Sequence, residues 1–152
     1  MYLASVILLL AVFPIASIAI EWFAAGLPGG LMPLVGKWFV FWAVGARLFI
    51  AGIRQVIQPA FTAETIFAVK DVAAHAIVRE VGFGNLSMGT LGLATSAMPA
   101  WILPAAIVGG LYYGLAATVH VVRHDRNAHE QIALISDVLI FVVLAAVVTA
   151  GS

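Results

Sequence analysis

Arg47, Arg54, Glu80, Asn85, His120 and Asp137 are the residues of this chain whose types and positions could do chemistry, because each lies within or beside a strongly apolar run. An ionisable group in such a setting marks a binding or proton-carrying site, or a buried partner for an opposite charge. Arg47 and Arg54 are seven residues apart and so project from one face of a helix. Glu80 shares a helical face with Gly84, Ser87 and Leu91, small residues against which a neighbouring helix could pack. Arg47, Glu80 and Asp137 could relay a proton or bind a polar substrate. The same groups could instead pair with one another and fix helix register, and Arg47 with Glu80 is the ion pair the sequence points to. His120 and His124, at i and i+4, have the spacing of two metal ligands on a helix. They are weak candidates, because no HExxH pattern accompanies them.

Other chemistries find no support. Ser87 has neither a signature base nor a nucleophile-elbow motif. The glycine-rich stretch 79–93 lacks the strand-to-helix context that a dinucleotide fingerprint needs. The absence of cysteine removes thiol nucleophiles, disulfides and thiolate metal sites. No catalytic set remains, and a formal net charge of zero gives no reason to expect nucleic acid as a partner.

The elements that must position these residues follow from composition. The 152 residues are 64% hydrophobic and 9% charged, against roughly half and a quarter in globular domains. A soluble core of this size could not bury so much apolar surface, so the lipid bilayer is the expected partner. The reading is a single all-α transmembrane domain with spans at about 2–20, 37–57, 80–97, 101–122 and 131–150. The first run could be a signal peptide, but it carries no basic n-region and exceeds a usual h-region, so a retained helix is preferred. Residues 26–36, with two prolines and four glycines, read as a turn-forming connector. Lys37, Trp38 and Trp42 suit an interfacial anchor. Residues 58–78, with Pro59 at their start, read as an amphipathic helix at the interface, a helical extension leading into the next span, or an ordinary solvated connector helix. The glycines of 79–93 read as surfaces for close helix approach, as do Gly110 and Gly114 in GxxxG spacing.

Five spans place Arg54, Lys70, Arg79, Arg123 and Arg126 on one side and Lys37 on the other. The positive-inside rule then gives a cell-membrane protein with a cytoplasmic N-terminus and an external C-terminus. Arg54, Gln55, Glu80, Asn85, His120 and Asp137 all fall in the cytoplasmic half of their spans. Arg47 lies deeper, about 15 Å of helix rise from residue 57. Polar groups from four helices therefore converge on one end, where they must pair or line a wet cavity.

Two segments resemble a known family. Gly45, Arg47 and Gly52, with Glu80, Gly82, Phe83, Asn85, Leu86 and Gly89 in a Glu-x-Gly-Phe-x-Asn-Leu-x-x-Gly pattern, resemble an uncharacterised group of small multi-pass bacterial membrane proteins, distantly DoxX-like. The resemblance covers about 45–146. It implies a DoxX-like four-helix bundle over spans two to five, with the first helix as an addition. Some DoxX-like proteins are membrane subunits of quinone-linked oxidoreductases. Where that wider family has a lysine soon after its first helix, this chain has Arg54 and Gln55. Function reads first as a non-enzymatic subunit or scaffold, with partner membrane subunits or copies of itself. The alternatives are a small-molecule or proton-coupled carrier and a quinone-associated oxidoreductase component. A quinone or a bound lipid is the cofactor such roles would bring.

Overall fold

The computed structural model describes residues 2–25, 30–122 and 127–151, and these are all-helical apart from turns. Five long helices follow one another: α1 (Leu3–Ala25), α2 (Leu31–Ile57), α3 (Ala74–Ala94), α4 (Ile102–Val122) and α5 (Ala128–Ala150). Among the described residues four helices are long and apolar enough to cross a membrane: α1, α2, α5, and α4 with its lead-in from Pro99. The fifth, α3, falls short because Arg79, Glu80, Asn85 and its glycines dilute the apolar residues.

Two boundaries differ from the sequence expectation. The second helix starts at Leu31 rather than 37, with Pro33 in its first turn, where the missing amide costs nothing. Residues 26–29 of the expected connector lie outside the described residues. The third helix starts at Ala74, well before residue 80, so residues 74–78 are a helical extension into it, while 67–73 are not helical. After Pro59 the chain makes one π-helical turn, Phe61–Ile66, and then an irregular passage in which Ala68 takes a left-handed φ of 56°. Asp71 closes that passage by accepting a hydrogen bond from the Ala73 amide at 2.9 Å.

Glycine sets the close contact between α2 and α3. The third helix runs antiparallel to α2, with Gly92 against Gly45, Gly89 against Phe49, and Gly82 against Gly52. A Cβ on Gly89 would stand 2.5 Å from the Phe49 amide nitrogen, and one on Gly52 would stand 2.7 Å from the Gly82 carbonyl oxygen. These are backbone atoms, so rotamer changes could not relieve them. The GxxxG glycines of α4 serve contact within the chain, where Gly110 faces Leu144 and Gly114 faces Phe141, both on α5.

The remaining helices lock on through a few polar ties. At the end of α1, Glu21 accepts from Lys37 Nζ at 2.7 Å and from Trp38 Nε1 at 2.8 Å. Trp42 Nε1 donates to Ser17 Oγ at 3.0 Å. The expected interfacial anchors thus also join α1 to α2. At the centre, Val40, Val44, Ala105, Ala106, Ile140 and Leu144 are fully buried. Within α2 the stretch Val40–Ala46 is π-helical, and Tyr113 donates to the Ala43 carbonyl there at 2.6 Å. Such inserted turns shift the register of everything beyond them. Arg47 is the first residue past this one.

Candidate functional site: a polar cavity at one end of the bundle

The second half of α2, the first half of α3, the second half of α4 and the first half of α5 meet around a cavity of about 200 Å³. Helical spacing supplies its walls. From α2 come Arg47, Ala51 and Gln55, at intervals of four; from α3 come Val78, Val81 and Asn85. Tyr112, Ala116 and His120 project from α4, and Ala133 and Asp137 from α5. The connector closes the cavity with Thr62, Ile66 and Phe67.

Four of the six polar residues singled out in the sequence, Arg47, Asn85, His120 and Asp137, therefore line one cavity. Arg54 stands beside it, lining a smaller space of about 100 Å³ that shares Arg47 and Gln55. Its guanidinium lies over the Phe61 ring, 3.4 Å from the centroid, a contact favourable for a cation. Glu80 is elsewhere. The buried face of α3 is Val78, Gly82, Asn85, Gly89 and Gly92. Glu80 is two residues past Val78, about 200° around the helix, and it is exposed along with Gly84, whose surroundings are open. The expected Arg47–Glu80 pair is not among the ion pairs of the described residues. The small-residue face that packs is Gly82–Gly89–Gly92 rather than the one carrying Glu80, Gly84 and Ser87.

The electrostatics are uneven. His120 sits between two carboxylates of α5: its Nδ1 is 3.2 Å from Glu130 Oε1, and its Nε2 is 3.9 Å from Asp137 Oδ2. The first is a hydrogen bond whose direction follows the ring's tautomer, while the second is too long to be one but within ion-pair reach of a protonated ring. Asn85 Nδ2 donates to Gln55 Oε1 at 2.7 Å. Its Oδ1 is buried without a donor, and Arg47 Nε is buried without an acceptor. Arg47 and Asp137 interact electrostatically without forming an ion pair. Buried polar atoms are normally hydrogen-bonded, so two orphans on residues that line one cavity stand out.

Sequence reasoning passed over the groups that complete this site. Glu130 is 1% exposed, although its sequence position reads as loop. Its signal is the Asn-x-x-Glu start of α5, where Asn127 Oδ1 caps the helix by accepting from the Glu130 amide at 2.9 Å. Asn127 also donates from Nδ2 to the carbonyls of Ile66 and Thr65, at 2.9 and 3.2 Å, tying the connector to α5. Phe67 and Tyr112 carried no signal beyond being aromatic. Among the described residues no group of three His, Cys, Asp or Glu is placed to hold a metal ion. His124, the second weak metal candidate, lies outside the described residues.

No protein family matches the chain, and no curated protein or solved structure is similar to it. The site must be read from its own chemistry.

Proposed function

We propose that this is a non-enzymatic integral membrane protein that holds a small polar solute in the cavity between α2, α3, α4 and α5. The observation that carries this reading is the convergence of Arg47, Asn85, His120 and Asp137 from four helices on that one cavity. Polar groups held inside an apolar bundle need partners, and a bound solute supplies them. Nothing in the cavity resembles a nucleophile with its base, so binding rather than turnover is the role.

In this reading α3 is a fifth span. Its contact with α2 from Gly45 to Gly52 supports this, because it sets the two helices side by side at the same depth. Lys70 and Arg79 lie at the cavity end and Lys37 at the other, which supports a cytoplasmic opening, a cytoplasmic N-terminus and an external C-terminus. A scaffold role draws no comparable support. The exposed apolar residues on the outer faces of the helices, such as Leu111, Leu115 and Ile135, are accounted for by lipid alone.

The test is extraction from native membranes in mild detergent, followed by native mass spectrometry. A stoichiometric small molecule retained by the single chain is the expected result, and a quinone or lipid in that place would redefine the solute. Stoichiometric partner subunits with no small molecule retained would overturn the reading in favour of a scaffold.

A further inference from the structure

The cavity does more than offer polar groups, because it separates opposite charges. The Arg47 guanidinium and the Asp137 carboxylate face the same 200 Å³ space without pairing. Asn85, whose amide nitrogen donates to Gln55, lies on the α3 side of the same space. We propose that the solute is a small zwitterion of the amino-acid type, its carboxylate held by Arg47 and its ammonium by Asp137. This rests on the solute-binding reading above and specifies its ligand.

Three arguments favour a zwitterion over other small solutes. A monoanion would satisfy Arg47 but add a second negative charge beside Asp137. A monocation would reverse the problem, and a neutral solute would engage neither charge. A solute with both signs meets an opposite charge at each place. Guanidinium also matches a carboxylate in a planar, two-point fashion. Size points the same way. A space of about 200 Å³ bounds the occupant to a compact molecule.

The test uses the purified full chain in lipid nanodiscs. Thermal shift and calorimetric titration are run with the standard L-amino acids, then with the des-amino acid and the decarboxylated amine of any that binds. At least one amino acid should bind, with both analogues weaker by about tenfold or more, as expected when one charged hydrogen-bonded contact is lost. Arg47→Gln should abolish the preference over the amine, and Asp137→Asn the preference over the acid. The analogue series needs no variant to fold. If a neutral or singly charged molecule co-purifies while no amino acid binds, the zwitterion assignment fails and the solute-binding reading stands. If nothing co-purifies and no probe binds, both fail.

Discussion

The ring of Phe67 lies parallel to the imidazole of His120, with centroids 5.8 Å apart and 10° between planes. One comes from an irregular connector and the other from the middle of the bundle's polar wall. The contact makes the connector part of the cavity. Asn127 holds the same segment from the far side through the carbonyls of Thr65 and Ile66.

Asn127→Ala should therefore act twice. Loss of the α5 cap costs about 1 kcal/mol, and loss of the connector tie frees residues 61–67. The melting temperature in detergent should fall. Hydrogen exchange should accelerate both at the start of α5 and across 61–67, two segments that are far apart in sequence.

Gly89 and Gly84 form a matched pair. A methyl group on Gly89 meets the Phe49 backbone at 2.5–2.7 Å, whereas one on Gly84 meets nothing within 4 Å. Gly89→Ala should destabilise by about 3 kcal/mol, because the two helices must move apart. Gly84→Ala should be neutral or stabilising by up to about 1 kcal/mol, the usual gain of alanine over glycine in a helix. Thermal melts of the two variants in one detergent check this.

Much of this arrangement was legible in the sequence, and its limits have physical causes. Long apolar runs marked the four most hydrophobic helices, and their order, with the glycine-rich α3 between the second and third of them, placed Arg47, Asn85, His120 and Asp137 toward one end. The facing of α3 was ambiguous, because Gly84 and Ser87 offer one small-residue stripe while Gly82, Gly89 and Gly92 offer another. Only the partner's Gly45, Phe49 and Gly52 decide between them, and that choice turns Glu80 outward and Asn85 inward. The connector was illegible for another reason. Its Thr62 and Ala63 are buried, but a single π-helical turn has no periodicity long enough to read.

Glu130 is the most deeply buried charge-bearing side chain in the described part of the molecule. Glu130→Gln keeps an acceptor for His120 Nδ1 and the same shape, whereas Glu130→Ala leaves the imidazole facing a void. The alanine variant should lose about 1–3 kcal/mol more than the glutamine variant, read as the difference between their melting curves.

The chain has no cysteine, so single cysteines report topology without background. Lys70→Cys and Ser96→Cys, at exposed positions beyond opposite ends of α3, should react with impermeant maleimide from opposite sides. Lys70→Cys should be protected in intact cells and Ser96→Cys labelled. Labelling of both from one side would show that α3 does not cross.

The central claim is that a solute binds around Arg47 inside the bundle, away from the exposed face that carries Glu80. The most direct measurement is native mass spectrometry of Arg47→Gln and Glu80→Gln beside the unaltered protein, with matched melting curves to confirm folding. The account predicts that Glu80→Gln keeps the bound small molecule and Arg47→Gln loses at least about nine-tenths of it, since a charge-assisted contact of about 1.5–3 kcal/mol is worth roughly tenfold or more. Full retention by a folded Arg47→Gln protein, or loss from Glu80→Gln, would contradict it.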